Sequence, residues 1–244
     1  MQVSEPDLVG AKRVSAVAIW ELSGDVLGVL PRHRHSLSRD AVRSSQEARL
    51  RVATVEVVAE RGYSGASVRQ IAARAGISTK TFYELYPDKE SAFLATYSAV
   101  DLLVYRMRVA AAAAQSAKAV IGAGLTTYLA TLAANPAFTQ SLVVEAVAST
   151  DRIRERRSRG LADFAAVLVE GLRRVRGPEG PDPASTSMDR ALIIAGLGGV
   201  NELVVQHLGS APASSLLDIT APAQAVLERV VLTVEERQQP LGKP

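Results

Sequence analysis

The chain has 244 residues, of which 48% are hydrophobic and 22% are charged, and its net charge is +3. This composition is typical of one large packed domain or two small ones, and it excludes an intrinsically disordered chain. Because there is no cysteine, disulfides, thiol catalysis and zinc–cysteine sites are excluded. The small basic excess is compatible with a nucleic-acid partner but does not require one.

The first 30 residues do not have the pattern of a secretory signal. Glu5 and Asp7 precede the first basic residues, and the apolar stretch 14–20 is short for a signal core. We therefore expect a flexible N-terminal extension, a cytoplasmic protein and no membrane-spanning segment.

A basic segment, "PRHRH" (31–35), follows this extension. Such an arm could lie along or inside a minor groove of DNA, although a solvated linker is an equally good interpretation. The possible arm contacts are Arg32, Arg34 and Arg39. Two nearby histidines lack an acidic or cysteine partner, so we predict no metal site there.

From residue 40 onward the sequence has helical periodicity, and β-alternation is scarce. Apolar positions over 44–61 recur at helical spacing, and Gly62 is suited to the position after a helix end. Ser67 and Gln70 have the spacing of a capping box that opens a short helix. Gly76 ends that helix, and Ser78 can cap a third one. Longer helices follow to about residue 236, which gives about nine helices in all.

The segment 68–82 has the spacing of a helix-turn-helix, in which Gly76 supplies the positive φ of the turn. Short helices with a glycine turn also occur in ordinary helix bundles. If Phe82 is the buried anchor, however, the hydroxyls and lysine of 79–83 face outward. These groups suit base edges and phosphates in a major groove.

Lys89 lies in the first turn of the next helix, where the helix dipole disfavours a cation. A DNA phosphate bound at that helix terminus would reverse the preference. The alternative is that Glu90 compensates the charge and Lys89 is solvated. Residues 31–93 hold eleven basic and seven acidic residues, so the basic excess of the chain lies in this region.

The blocks "AERGY", "SVRQIAARAGIS" and "TFYELYPDKE" follow one another within residues 55–97. This stretch resembles the DNA-binding domain of TetR/AcrR-family transcriptional regulators in both order and spacing. The preceding residues 30–50 resemble an arm found in a subset of such proteins. One departure is Val57–Val58, where many members carry Leu-Phe, and it affects core packing only.

The resemblance implies an all-α fold, with a three-helix DNA-binding domain followed by a helical ligand-binding and dimerisation domain. The expected parts are an extension and arm (1–36), a DNA-binding domain (37–90), a C-terminal domain (91–237) and a tail (238–244). The expected DNA contacts are Ser67, Arg69, Ser78, Thr79, Lys80, Thr81, Tyr83, Tyr86 and Lys89.

Polar and aromatic residues on apolar stripes are candidates for lining a ligand cavity in the C-terminal domain. Each could equally be an ordinary core residue, and a buried polar group could find its partner in protein or water. The candidates are Tyr97, Tyr105, Tyr128, Glu145, Phe164 and Asn201. No cofactor is predicted.

"GLGGVNELVV" (196–205) places three glycines within four helical residues, each of which weakens a helix by up to ~1 kcal/mol. Close packing against another helix would explain them. That helix could belong to a second protomer, in a homodimer formed by the last two helices, or to the same chain.

Taken together, the sequence predicts a transcriptional regulator, most simply a ligand-responsive repressor that binds a palindromic operator as a dimer. The alternative is an all-α small-molecule-binding protein or enzyme with a vestigial helix-turn-helix. The sequence shows no nucleophile–base pair, metal-ligand spacing or phosphate loop that would support an enzyme.

Overall fold

The computed structural model describes residues 38–238, which are almost entirely helical. Residues 1–37 lie outside the described part, and with them the predicted extension and the possible arm contacts Arg32 and Arg34. The predicted fold class, an N-terminal helix-turn-helix and a C-terminal helical bundle, is confirmed. Ten α-helices of five or more residues are present in the described part, against about nine expected.

Three helices build the N-terminal domain: α1 (Arg39–Gly65), α2 (Val68–Arg74) and α3 (Thr79–Leu85). Helix α1 has a kink at Gly62, whose φ of 71° is the left-handed conformation expected there. The capping box of Ser67 and Gln70 is present, and Ser78 accepts a hydrogen bond from the Thr81 amide. Gly76 has a φ of 65°, so the turn between α2 and α3 needs a glycine as predicted.

The next helical stripe of the sequence is divided into α4 (Lys89–Ala95) and α5 (Ser98–Ala112). The predicted single helix is broken because the buried Thr96 hydroxyl donates to the Phe93 carbonyl. The amides of Thr96 and Tyr97 also bond three residues back, which tightens the chain at this point. Tyr97 lies in this break and turns its ring into the protein interior.

Helix α6 (Ala117–Ala134) is the central helix of the C-terminal domain and packs against α5, α8 and α10. A short helix α7 (Pro136–Thr139) follows, with proline at its first position. It continues into a π-helical turn (Gln140–Val144) and a 3₁₀ turn (Glu145–Ala148). These turns pack against α1, so a non-standard segment of the C-terminal domain contacts the DNA-binding domain directly.

The remaining helices are α8 (Asp151–Arg176), α9 (Ser187–Leu208), α10 (Thr220–Val231) and α11 (Val234–Gln238). A 3₁₀ segment (Ala213–Ile219) joins α9 to α10. At the C-terminal end of α8, the nearly buried Arg176 forms an ion pair with Glu236 at 2.8 Å. This pair attaches α11 to the bundle.

Two helices, α6 and α9, are long and apolar enough to span a membrane. Half of α6 is buried in the core, where an apolar helix is expected in a globular protein. It approaches α8 closely, because a Cβ at Gly171 would lie 2.6 Å from Val120. Helix α9 is different: only 22% of its most apolar window is buried, so it exposes an apolar face.

We expect Gly62→Ala to destabilise the protein by about 1 kcal/mol or more, since alanine resists the left-handed conformation. Its Cβ would also lie 3.2 Å from the Glu145 carboxylate, at the contact between the two domains. The loss would appear as a lower urea midpoint of unfolding.

Gly65→Ala is the matched control, because its Cβ would make only ordinary contact with the Arg61 side chain. Equal stability of the two variants would contradict the assigned role of Gly62.

Candidate nucleic-acid interface and ligand cavities

Helix α3 presents one buried and one exposed face. Phe82 is completely buried and packs edge-on against Tyr83 and at a tilt against Tyr86. The opposite face exposes Thr79, Lys80 and Tyr83, and the Tyr83 side chain is 57% accessible. The front of this helix therefore offers a hydroxyl, an ammonium and a phenol to a partner outside the domain.

The remaining predicted contacts flank this face in different ways. Ser67 and Arg69 are exposed at the start of α2, and Ser78 is exposed at the start of α3. The hydroxyls of Ser78 and Thr81 lie 2.9 Å apart and hydrogen bond to each other, so both help to cap the helix. Tyr86 is half-buried, and burial raises the pKa of its phenol.

Two arginines that the sequence analysis counted only as positive charge hold the helix-turn-helix together. Arg74 at the end of α2 bonds Glu56 and Glu60 of α1, at 3.1 and 2.8 Å. Arg49 of α1 donates to the Ala75 carbonyl at the turn, at 3.1 Å. Spacing within one helix carries no signal for these contacts, which is why they were missed.

Lys89 joins the start of α4 to the end of α1. Its ammonium donates to the carbonyls of Tyr63 and Ala66, at 2.6 and 2.8 Å, and lies 4.3 Å from the centre of the Tyr63 ring. Burial lowers the pKa of Lys89, while the two carbonyls favour its charged form. Two of its three N–H groups are thus used internally, and contact of Lys89 with a phosphate stays a prediction.

The helix-turn-helix matches a family model. Residues 50–96 match the model described as bacterial regulatory proteins, tetR family. The N-terminal domain belongs to the tetR family. This match supports a DNA-binding transcriptional regulator.

Solved structures share the fold over most of the chain. The fatty acid degradation regulator FadR from Bacillus halodurans is 19% identical, with a TM-score of 0.59 over 73% of this chain and 96% of its own. FadR from Bacillus subtilis, in complex with stearoyl-CoA, is 21% identical, with a TM-score of 0.59 over 75% and 97%. A TetR regulator from Rhodococcus sp. RHA1 is 18% identical, with a TM-score of 0.55 over 78% and 97%. A search of curated proteins gave no significant match.

The C-terminal domain contains two adjacent apolar cavities. The inner cavity, of about 40 Å³, lies between α5, α6, α8, α9 and α10. The junction cavity, of about 50 Å³, lies beside the break between α4 and α5 and extends to α7 and the π-helical turn. Tyr128, Leu161, Phe164 and Asn201 line both cavities and form the wall between them.

Four of the six cavity candidates lie in these walls. Tyr128 donates a hydrogen bond of 2.5 Å to the Asn201 side-chain carbonyl, and its ring packs edge-on against Phe164. Tyr97 lines the junction cavity. The buried polar groups therefore find partners partly within the protein, as the alternative interpretation allowed.

The structure places the other two candidates elsewhere, and corrects their assignment. The Tyr105 side chain is 61% exposed, since it lies on the outer face of α5. Glu145 follows the π-helical turn, which rotates it away from the stripe of Phe138 and Leu142. Its carboxylate instead accepts a hydrogen bond from Gln140 and approaches Gly62.

We expect Lys89→Met to lower the free energy of unfolding by ~1–3 kcal/mol, because it leaves two backbone carbonyls without their donor. Chemical denaturation measures this loss. Lys80→Met is the control, since the Lys80 side chain is 87% exposed and its change should stay within ~0.5 kcal/mol. If both variants unfold at the wild-type denaturant concentration, the structural role of Lys89 is refuted.

Proposed function

We propose that the protein is a ligand-responsive transcriptional repressor that binds a palindromic operator as a homodimer. The observation that supports this proposal best is the exposed face of α3, which projects from a helix-turn-helix held rigid by Arg49, Arg74 and Lys89. In a dimer, two such helices would enter successive major grooves about 34–36 Å apart. Selection of bound DNA from a random pool would test the function and return the half-site spacing together.

In this proposal each DNA contact has a distinct role. Thr79, Lys80 and Tyr83 read base edges, while Ser67 and Arg69 at the start of α2 contact phosphates. Ser78, Thr81, Tyr86 and Lys89 support or extend the same surface, and Arg39, exposed in the first turn of α1, lies where a basic arm would begin. Because phosphates dominate the affinity, binding should weaken steeply as salt is raised.

We expect Tyr83→Ala and Lys80→Ala each to weaken binding to the selected operator by roughly tenfold or more, since a base contact contributes ~1–3 kcal/mol. Both side chains are exposed, so the thermal midpoint should stay within a degree or two of wild type. Fluorescence anisotropy at fixed salt measures the affinity.

Tyr105→Ala provides the matched control, because it removes an equally exposed tyrosine from the other domain. Unchanged operator affinity in both α3 variants would exclude this face as the recognition surface.

The proposed dimer interface is centred on α9. Met188, Leu192 and Ile194 are exposed apolar side chains on this helix, and a Cβ at Gly198 would meet no atom within 4 Å. A second copy of the chain would remove this apolar face from water.

The other glycines of this motif pack within the chain. A Cβ at Gly196 would lie 3.4 Å from Leu227 and Val230, and one at Gly199 would lie 3.6 Å from Val226. These two positions therefore let α10 approach α9 closely, which is the intrachain alternative. Only Gly198 is left for contact with a partner, and α10 supports the interface mainly by positioning α9.

Leu192→Glu should convert the dimer into monomers at micromolar concentration, since it introduces two symmetry-related charges into an apolar contact. Sedimentation velocity measures the change. Val147→Glu is the control, because Val147 is also exposed but lies outside α9. A dimer that persists in Leu192→Glu would exclude this face as the interface.

The ligand response would act through α4. Its first turn is held to the DNA-binding domain by Lys89 and to α8 by Glu90, which accepts from Thr150 at 2.5 Å and from Arg152 at 2.6 Å. Its far end leads directly to Tyr97 in the wall of the junction cavity. A ligand that favours one position of α4 would change operator affinity only by its differential affinity for the two states.

The fold comparison supports the ligand response in general terms. The stearoyl-CoA complex of the Bacillus subtilis regulator shows that this fold can hold an acyl ligand. In this proposal the protein acts in the cytoplasm, where its operator is. Helix α6 is buried in the core, and α9 is covered by the partner protomer.

The structure gives little support to the alternative that the protein is an enzyme. His207 and Ser215 do form a pair, with Nε2 and Oγ 2.8 Å apart, which the sequence analysis did not anticipate. The Ser215 hydroxyl, however, donates to the Pro212 carbonyl, so the histidine must be the donor in this pair. That is the reverse of a base that activates a nucleophile. We interpret the pair as an attachment of α9 to the 3₁₀ segment.

A further inference from the structure

The junction cavity is lined mostly by apolar side chains, but three polar ones, Tyr97, Arg157 and Asn201, also lie in its wall. The Tyr97 side chain is 2% exposed, and its hydroxyl is buried without a hydrogen-bond partner among the described residues. A buried hydroxyl that lacks a partner costs stability and is rare in folded proteins. Tyr97 lines the cavity, so a bound molecule could supply the missing acceptor.

Arg157 lines the same cavity and differs from the other arginines of its helix. Four neighbours at the start of α8 each have an acidic partner: Arg152 pairs with Glu90, Arg154 with Asp151, Arg156 with Asp101 and Arg159 with Glu155. Arg157 has no ion pair or hydrogen bond among residues 38–238. It is only half-exposed, and its positive charge acts on the phenols of both Tyr97 and Tyr128.

Both polar groups are donors. Burial raises the pKa of Tyr97 to about 12, so at neutral pH the phenol is protonated and its unpartnered hydroxyl can donate to a bound acceptor. A guanidinium has N–H donors only, and its planar fork matches a carboxylate. Asn201 lines the cavity as well: its carbonyl accepts from Tyr128, and its amide N–H groups donate to no residue in 38–238. The site is therefore suited to an anionic acceptor.

The rest of the cavity wall is apolar and includes Val100, Leu103, Leu132, Phe138 and Leu142. Beyond the shared wall, the inner cavity continues with aliphatic side chains of α6 and α8. A ligand site of this type binds a molecule with one polar end and an apolar remainder. The cavities are small, so the molecule must be compact, and an apolar tail would enter the inner cavity past Leu161 and Phe164.

We propose that the junction cavity binds a compact amphipathic carboxylate, whose carboxylate is held by Arg157 and Tyr97 and whose apolar part lies between α5, α6 and α8. The proposal rests on the ligand response proposed above and specifies its ligand class. It also places the head group at Tyr97, which lies in the break between α4 and α5, where binding can bias the position of α4.

The test compares each of two acids with its neutral analogue on the full-length protein: octanoate with octanol, and benzoate with benzyl alcohol. Isothermal titration calorimetry should show at least one acid binding roughly tenfold or more tightly than its analogue, which is the effect of one charge-assisted hydrogen-bonded pair. Equal binding of acid and analogue in both comparisons, or no binding of either acid, would overturn the proposal.

Two variants locate the carboxylate. Arg157→Met removes the charge but keeps an apolar stem, and should weaken binding of the acid at least tenfold while leaving the alcohol unaffected. Tyr97→Phe removes only the hydroxyl, and should weaken the acid severalfold without loss of folded structure by circular dichroism. Arg159→Met is the control, since Arg159 is exposed and paired with Glu155. The affinity of this variant for the acid should equal that of the wild type.

Wild-type affinity for the acid in Arg157→Met would exclude this site. Operator binding without ligand, measured on the same samples, separates the two proposals. Retained operator binding together with failure of every acid experiment refutes the carboxylate site and leaves the regulator intact. Absence of sequence-specific DNA binding by the wild-type protein refutes the proposed function itself.

Discussion

The rest of the structure depends on how the first turn of α4 is held. A lysine at this position is unfavourable for an isolated helix, because its charge opposes the helix dipole. Lys89 is stabilised instead by the carbonyls at the end of α1, and the adjacent Glu90 bonds the start of α8. Two consecutive side chains of opposite charge thus connect the DNA-binding domain and the C-terminal domain to one short helix. Any displacement of α4 must change contacts on both sides.

A second connection runs beside the first. Helix α7 and the π-helical turn after it pack on α1, and Phe138, Leu142 and Val143 of these two elements line the junction cavity. The cavity is therefore bounded by Tyr97, which lies just after α4, and by the segment that packs on α1. Cores are closely packed, so an occupant of a cavity that holds only a few waters must move its walls. In the proposed ligand response, displaced walls would act on α4 and, through Glu145, on the segment of α1 at Gly62.

Much of the fold and of the candidate nucleic-acid interface could be predicted from the sequence, because both follow from local chemistry. The capping box of Ser67 and Gln70, the cap at Ser78 and the left-handed glycines at 62 and 76 are each determined by residues within one turn. Burial of Phe82 then leaves Lys80 and Tyr83 exposed by the helical period alone. The break at Thr96 was missed, since the helical stripe continues through it and the hydrogen bonds that tighten the chain there leave no mark in the apolar pattern.

The sequence by itself therefore determined the helix-turn-helix, the all-α class and the residues that face outward from α3, because periods and caps act over a few residues. Only the tertiary structure decided which charges are already paired. Arg74 is taken by α1 and Lys89 by two carbonyls, whereas Arg157 is left beside an unpartnered Tyr97 hydroxyl. It also separated Tyr105, on the surface, from Tyr97 and Tyr128 in the cavity walls. These outcomes depend on contacts between helices far apart in the chain, and no local pattern records them.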